Sequence, residues 1–344
     1  MGDGHCHIEK MAGAEQVLKE ELSTSTLQSF GERQSGCIND GLAYRTDHGP
    51  LFVKFNSNSA GVEMFQGEYE SLKALRNTQV LTVPKPIKLI KLRNGSAMLV
   101  IEYLDMKQLR DFSALGQEVA RLHLHNTEQG RRAKKAERTI TAKELQYDYV
   151  DQYGFHVPTY AGYSRQSNEW NDSWVNFFAR KMEDYVSLVE KKHNDRDSRP
   201  LWHSLVPHLS RLFHDVSVEP ALLHGDLWRG NIAQTDRAPV SFDPISLYGH
   251  SEFDLSIMLK HGGFPSSFFN AYHSLVPKTP GFEDRYDLYS LHHHFQIWSH
   301  FGDDLVEDAL GIVEPEVFKF AFGSGFKNST LDLLRKLNRK LQTT

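Results

Sequence analysis

The chain has 344 residues, of which 40% are hydrophobic and 24% charged, and it carries a formal net charge of −5 at pH 7. This length predicts two lobes rather than one core, and the mild acidity excludes a general electrostatic attraction to nucleic acid or to an anionic membrane. Two cysteines, Cys6 and Cys37, exclude a disulfide framework and favour a reducing compartment, so we expect a cytoplasmic protein. No apolar run approaches the roughly 18 residues of a membrane span. The first 13 residues lack the apolar centre of a signal peptide, and we expect them to form a flexible tail.

The residues after this tail have the pattern of a first helix, an antiparallel sheet, and a second helix that interrupts the sheet in sequence. An apolar helical face predicts a first helix from about 14 to 22. Strand-like segments follow, and Asp47-His48-Gly49 predicts a hairpin turn into the strand Leu51-Phe52-Val53-Lys54-Phe55. The next helix contains Glu68, and its apolar stripe consists of Val62, Phe65, Tyr69, Leu72 and Leu75.

A second hairpin closes this first part of the chain. Strands over 87–92 and 97–101 are predicted on either side of Asn94-Gly95. The segment Glu102-Tyr103-Leu104 ends the second strand. We therefore expect the first lobe at residues 14–104 and the second at residues 105–344.

The second lobe is predicted to be mainly helical. The apolar period of 3.6 residues predicts helices over 111–126, 174–189, 201–212, 252–260, 265–275, 283–301 and 329–341. Residues 127–144 are polar with a basic centre, and a flexible insertion is favoured there over a docking patch. His292-His293-His294 does not predict a zinc site, because three consecutive helix positions spread over about 200°.

The centre of this lobe contains a pattern suited to phosphoryl transfer. His224-Gly225-Asp226-Leu227-Trp228-Arg229-Gly230-Asn231 supplies an acid and an amide between two apolar runs, and Phe242-Asp243-Pro244 adds a second acid. In transfer from ATP, one carboxylate orients the acceptor hydroxyl, while an amide and another carboxylate hold magnesium. Asp226 is therefore the candidate base, and Asn231 and Asp243 are the candidate ligands of Mg²⁺. The alternative is a polar turn between two strands, which the distance to Asp243 disfavours.

The strand lysine and the helix glutamate of the first lobe fit the same chemistry. In kinases, a lysine of this kind contacts the α- and β-phosphates and pairs with a glutamate, which predicts these roles for Lys54 and Glu68. Glu63 and Glu70 are rivals of Glu68, but the direction of side chains around the helix favours Glu68.

Two other segments are candidates for contacts with the nucleotide. Gly36 and Gly41 bracket a loop that contains Cys37, and its backbone amides are suited to cover phosphates, although a plain hairpin is the alternative. The segment Glu102-Tyr103-Leu104 is placed to be the hinge whose backbone groups read the adenine edge.

These motifs resemble the fructosamine-3-kinase and ketosamine-3-kinase family, which is related to the aminoglycoside and choline kinases. The resemblance runs from about Glu15 to Gly302, and Asp254 is a small departure, at a position where animal members can carry Glu and where we expect no effect on the chemistry. It implies an α+β, bilobal protein-kinase-like fold, with an antiparallel sheet and one main helix in the N-lobe and a mainly helical C-lobe. Its segments are His224-Gly225-Asp226-Leu227-Trp228, Phe242-Asp243-Pro244, Tyr248-Gly249-His250-Ser251-Glu252, Gly262-Gly263-Phe264-Pro265, Met64-Phe65-Gln66-Gly67-Glu68 and Trp298-Ser299-His300-Phe301-Gly302.

The resemblance implies a repair enzyme that uses ATP and Mg²⁺ to phosphorylate the 3-hydroxyl of ketosamines, which are sugar adducts on lysines. The phosphate makes the adduct labile and frees the amine. Trp228, beside the base, offers an aromatic face for the sugar, whereas Trp298 and His300 either complete the substrate wall or serve packing. The resemblance also implies a redox-sensitive Cys37, so we expect a monomer or a redox-linked homodimer.

Two alternatives stay open at this point. A kinase for an aminoglycoside or an amino alcohol would carry the same catalytic motifs. A non-catalytic pseudokinase scaffold would lack Lys54, Asp226 or Asp243, and all three are present. The motifs do not distinguish fructosamine from ribulosamine as substrate. The expected partner is a glycated lysine or a small ketosamine, with no nucleic acid and no membrane.

Overall fold

The computed structural model describes residues 14–35, 39–137, 149–260, 263–302 and 325–343. Residues 14–22 form helix α1. They precede an antiparallel sheet of five strands in the order β1-β2-β3-β5-β4. Helix α2 (Gly61–Asn77) lies between β3 and β4 in sequence and packs against β4 and β5. The strands are β1 (Leu27–Ser35), β2 (Asp40–Thr46), β3 (Gly49–Asn56), β4 (Pro86–Lys91) and β5 (Ala97–Glu102).

Both faces of this sheet are covered, as the burial of β5 shows. Met98 and Val100 belong to a small apolar cluster with residues of α1. Leu99 and Ile101 belong to the main core with residues of α2. Successive side chains of a strand point to opposite faces, so the uninterrupted apolar run of β5 fits a strand that is buried on both sides.

The rest of the chain is mainly helical, as predicted. Apolar stripes of these helices form one continuous core, which also includes residues of α2. Among the residues that the structure describes, no helix has both the length and the apolar character needed to cross a membrane. The helices are α3 (Phe112–Glu137), α4 (Trp174–His193), α5 (Ser198–Leu205), α6 (Ser251–Lys260), α7 (Ser266–His273), α8 (Phe282–Phe301) and α9 (Phe326–Thr343).

Two helix predictions are wrong in their extent. Helix α3 continues to Glu137, so residues 127–137 are helical and not a flexible insertion, while residues 138–144 lie outside the described residues. Glu, Gln, Arg, Lys and Ala predominate in this part of α3, and these residues favour helix even without an apolar stripe. The helix predicted over 201–212 divides into α5 and the 3₁₀ helix Val206–Phe213, because Pro207 has no N–H to donate.

Short two-stranded sheets hold the polar motif in place. Strand β8 (Ala221–Leu223) pairs with β11 (Leu247–Gly249), and β9 (Ile232–Gln234) pairs with β10 (Pro239–Ser241). The two apolar runs that flank the motif in sequence therefore belong to different sheets. Both are fully buried, so each end of the motif is anchored while the polar residues between them remain in a loop.

Candidate active site

The loop after β8 brings Asp226 and Asn231 into direct contact. The chain turns at Gly225, whose φ is +85° and where a side chain would lie 2.3 Å from the carbonyl oxygen of Ile245. Glycine is therefore required there by backbone conformation and by space. Asn231 Nδ2 donates to Oδ2 and to the backbone oxygen of Asp226, both at 2.9 Å. These two bonds occupy the nitrogen of the amide, so its oxygen is the atom suited to a cation.

Asp254, near the start of α6, binds the backbone of this loop. Its buried carboxylate accepts hydrogen bonds from the backbone N–H of His224 at 2.7 Å and of Gly225 at 2.8 Å. His123 Nε2 lies 3.2 Å from the same carboxylate. Burial alone would raise the pKa of Asp254, but His123 and these hydrogen bonds hold it below its usual value. Asp254 is thus an ionised anchor for the loop that carries Asp226, a contact that our expectation for this position did not include.

The environment of Asp226 suits a general base. Burial raises the pKa of Asp226 to about 7, the hydrogen bond from Asn231 opposes this, and the charge of Asp243 adds to it. A carboxylate with a pKa near neutral pH accepts a proton from a substrate hydroxyl more readily than an ordinary aspartate does. The site therefore places a carboxylate with a pKa near neutral at the start of the polar loop.

Lys54 links the sheet to the second carboxylate of the motif. Its ammonium lies 2.6 Å from Glu68 Oε1 on α2 and 2.5 Å from Asp243 Oδ1. Burial alone would lower the pKa of Lys54, but Asp243 and Glu68 raise it above its usual range, so the lysine is charged. The rival glutamates bond elsewhere, since Glu63 pairs with Arg165 and Glu70 pairs with Lys73.

Asp243 itself has an unusual backbone conformation. Its φ is +56°, in the left-handed region that residues other than glycine seldom adopt. Such conformations cost on the order of 1 kcal/mol or more and cluster at functional sites. The side chain of Asp243 is 46% exposed, so a ligand in the cleft can reach it.

Lys54, Glu68, Asp226 and Asp243 open onto one cleft of about 140 Å³ between the sheet and the helical part. One wall is the hairpin formed by β6 (Thr159–Ala161) and β7 (Ser164–Gln166). Tyr160 of this hairpin donates a hydrogen bond to Glu63, which ties the wall to α2. The lining consists of Asn39, Lys54, Met64, Phe65, Glu68, Tyr160, Ala161, Gly162, Asp226, Asp243, Pro244 and Ile245.

The predicted hinge at residues 102–104 offers fewer free hydrogen-bonding groups to a nucleotide base than expected. The backbone N–H of Glu102 donates to Lys85 at 2.9 Å, and its carboxylate lies 3.7 Å from Arg76, so Glu102 is committed to neighbouring protein groups. The ring of Tyr103 packs edge-on against Phe30, with centroids 5.0 Å apart. No described residue accepts a hydrogen bond from the N–H of Leu104. The N–H of Leu104 is therefore available to a ligand.

Phe52 lies on the Lys54 face of β3, and sequence reasoning did not single it out. It precedes Lys54 by two positions on β3, so both side chains lie on the same face of the sheet. A side chain at Gly41 would lie 2.4 Å from the ring of Phe52, so the glycine leaves room for this ring. Alternation along β3 from Lys54 is the signal that could have found it.

The sequence comparisons agree with this geometry. A sequence model of the family described as fructosamine kinase matches residues 10–317. The chain belongs to the fructosamine kinase family. It is 43% identical over 329 residues to the ketosamine-3-kinase of Mus musculus, covering 94% of this chain and all of that protein. It is 35% identical to a chloroplastic protein-ribulosamine 3-kinase of Arabidopsis thaliana, covering 87% of this chain and 86% of that protein.

Solved structures share the fold of this fructosamine kinase family member. A Haemophilus somnus protein provisionally named fructosamine-3-kinase has a TM-score of 0.69 at 20% identity, covering 94% of this chain and 95% of that one. Aminoglycoside phosphotransferase APH(4)-Ia has a TM-score of 0.52 at 13% identity, covering 96% of this chain and 98% of that one. The α+β, protein-kinase-like fold predicted from the sequence is therefore confirmed.

The aromatic residues predicted to contact substrate lie in different environments. Trp228 is half-buried, and a side chain at Gly230 would lie 2.1 Å from its ring, so the indole lies over this glycine. Trp298 is only 1% exposed and stacks on Phe295 within the main core, which favours packing, the second of the two alternatives left open by the sequence. His300 Nε2 lies 2.9 Å from the backbone oxygen of Ala161, which places it behind the hairpin wall.

Two residues of the predicted phosphate loop lie outside the described residues, and the three consecutive histidines of α8 are buried. Gly36 and Cys37 lie outside the described residues. His292, His293 and His294 are buried in α8, and His293 Nε2 is 2.8 Å from Ser256 Oγ. In the described ranges, no group of three or more His, Cys, Asp or Glu residues is arranged to hold a metal ion.

Proposed function

We propose that the protein transfers the terminal phosphoryl group of ATP to the 3-hydroxyl of a ketosamine, a sugar joined to an amine such as a lysine side chain. The observation that carries this proposal is the cleft in which Lys54, Asp226 and Asp243 meet. The names of the mouse and plant relatives supply the acceptor class. The 3-phosphate makes the adduct labile, so the amine is released and the glycated protein is repaired.

In this mechanism Asp226 is the general base. It orients the 3-hydroxyl of the acceptor and takes up its proton as the oxygen attacks phosphorus. Asn231 holds the carboxylate in place through Nδ2, and Asp254 fixes the backbone of the loop. The raised pKa of Asp226 matches this role, because a carboxylate whose protonated form has a low pKa would not retain the proton.

The nucleotide side of the cleft uses the sheet. Lys54, held by Glu68, would contact the inner phosphates, while Phe52 would pack on the adenine and the N–H of Leu104 would donate to its edge. We propose that the boundary of the two lobes lies at residue 104, with the cleft between them. Gly36 and Cys37 are proposed for the loop over the phosphates on sequence grounds alone.

The donor set fits magnesium. The oxygen of the Asn231 amide and the half-exposed carboxylate of Asp243 are hard ligands of the type that Mg²⁺ prefers. When bound there, Mg²⁺ would neutralise charge on the β- and γ-phosphates. Asp243 also contacts Lys54, so the same carboxylate would hold the metal ion and fix the lysine ammonium next to it.

The acceptor side of the cleft is formed by the hairpin and by Trp228. The backbone at Ala161 and Gly162 lines the cleft together with Asp226, and His300 braces it from behind. Trp228, two residues after the base, would stack on one face of the sugar. Such a site accepts a small ketosamine or a glycated lysine on a protein. We also infer a cytoplasmic monomer that can form a redox-linked dimer through Cys37.

An acceptor panel tests this function. The purified protein is supplied with MgATP and with a fructosamine or a ribulosamine built on the same lysine derivative, and ADP formation is followed by a coupled assay. An aminoglycoside and an amino alcohol are the competing acceptors, and Asp226→Asn is the inactive control. We expect turnover with one or both ketosamines. Turnover with the aminoglycoside or amino alcohol alone would assign a different kinase, and no turnover with any acceptor would favour a scaffold.

A further inference from the structure

A carboxamide in the cleft has no role in the mechanism above. Asn39 lines the cleft with Lys54, Asp226 and Asp243. It directly precedes β2, and the β2–β3 register, in which Asp40 pairs with Phe55, continues to place Asn39 opposite Asn56. Since Asn56 lies two positions after Lys54, both asparagines lie on the same face of the sheet as the lysine.

Hydrogen bonds decide which atom of Asn39 is available to a ligand. The backbone N–H of Asn58 donates to Asn56 Oδ1 at 2.8 Å, so the side-chain oxygen of Asn56 points towards Asn58. The side-chain nitrogen of Asn56 therefore points away from Asn58. Asn56 Nδ2 then donates to Asn39 Oδ1 at 2.8 Å. Asn39 is left with Nδ2, which is a pure donor and has no acceptor among the described residues. Asn56 is fully buried, so this orientation is held firmly.

Position along β3 indicates which part of the nucleotide this donor reaches. The strand starts near the hinge, where Leu51 pairs with Glu102, and ends at Asn56. Phe52, Lys54 and Asn56 follow one another on the cleft face at intervals of about 6.6 Å. If adenine lies at Phe52 and the inner phosphates lie at Lys54, the terminal phosphate lies one step further along the strand, near Asn56 and its partner Asn39.

We propose that Asn39 Nδ2 donates a hydrogen bond to the terminal phosphoryl group of ATP, a role that rests on the proposed function. During transfer the bond from phosphorus to the ADP oxygen breaks, the bond to the acceptor oxygen forms, and the acceptor proton goes to Asp226. Asn39 keeps its own protons. It stabilises charge on the phosphoryl oxygens, as a preorganised donor does, because its orientation is fixed before the nucleotide arrives.

Two substitutions separate this role from simple packing. Asn39→Asp keeps an oxygen that accepts from Asn56 and replaces only the donor, by an anionic oxygen that repels phosphate. Asn39→Ala removes both groups. Asn58→Ala is the matched control, since Asn58 is exposed and contributes its backbone N–H, which the substitution retains.

The measurements are the steady-state constants with MgATP and a ketosamine, and the dissociation constants for ATP and ADP by calorimetry. We expect both Asn39 variants to lower kcat on the order of 10²-fold and to bind ATP more weakly, with ADP binding and the ketosamine KM unchanged. The Asn58 variant should match the parent protein. Unchanged kcat in a folded Asn39→Asp protein, or equal weakening of ATP and ADP, would overturn the proposal. If the parent protein phosphorylates no ketosamine, the proposed function fails, while the comparison of ATP with ADP still tests Asn39.

Discussion

Replacing Asp226 by asparagine is expected to stabilise the folded protein at neutral pH while abolishing phosphoryl transfer. Burial raises the pKa of Asp226 from 3.8 to about 7 on folding. Between these two values the folded protein holds a proton that the unfolded chain has released. Stability is therefore lost as pH rises through this window, and the Asp226→Asn variant, whose amide does not titrate, avoids the loss.

The size of the effect follows from the two pKa values. One pH unit corresponds to about 1.4 kcal/mol, so the rise from 3.8 to about 7 corresponds to about 4 kcal/mol at most. Asp226 is half-buried, and solvent that reaches it screens the charge. We therefore expect a gain of about 2 kcal/mol in the free energy of unfolding above pH 7.

Urea unfolding at intervals from pH 4 to pH 8 measures this difference. The stability of the Asp226→Asn protein relative to the parent should be near zero at pH 4, should grow up to about pH 7, and should then stay constant. Asp332→Asn, which also removes one carboxylate but at an exposed position of α9, is the matched control. A difference that does not change with pH, or a variant that is less stable than the parent at pH 8, would refute this reasoning.

Three further predictions concern other parts of the site. Asp254→Asn places an amide nitrogen against the backbone N–H groups of the loop and should lower kcat at least tenfold with little change in the KM for ATP, whereas Asp254→Glu, which keeps the charge, should retain more activity; equal losses in the two variants would contradict the anchoring role. Trp228→Ala should raise the KM for the ketosamine about fivefold, equivalent to about 1 kcal/mol of stacking, and leave the KM for ATP unchanged. An equal rise for both substrates would favour a packing role for Trp228. Cys37→Ala should keep its activity after treatment with diamide, while the parent protein loses activity and recovers it with dithiothreitol; equal losses would place the redox response elsewhere.

Spacing and periodicity were sufficient for the parts of the molecule that depend on local sequence. The strand and helix periods predict the antiparallel sheet and most helices. Asp226 and Asn231 are five positions apart, and a short loop brings them into contact whatever surrounds it. The pairing of Lys54 with Glu68 follows from a strand and the helix after it, both of which have clear patterns.

Features that depend on distant packing could not be predicted in this way. Asp254 lies far from the motif in sequence, and only the fold shows its carboxylate beneath the loop. Trp298 follows Phe295 by three positions on a buried helix, which gives the same pattern for core packing as for a substrate wall. The role of Gly41 depends on the ring of Phe52 on the neighbouring strand, and a glycine in a loop sequence does not reveal such a partner.

The position of the phosphate on the product tests the central claim most directly. A fructosamine on a lysine derivative, labelled with ¹³C at all sugar carbons, is incubated with MgATP and the protein, and phosphorus coupling to each carbon is read by NMR while free amine is measured over time. We predict coupling centred on carbon 3, followed by release of the lysine amine, and neither signal with Asp226→Asn. Phosphate on another hydroxyl, or the same product from the Asp226→Asn protein, would contradict the assignment of a ketosamine 3-kinase with Asp226 as its base.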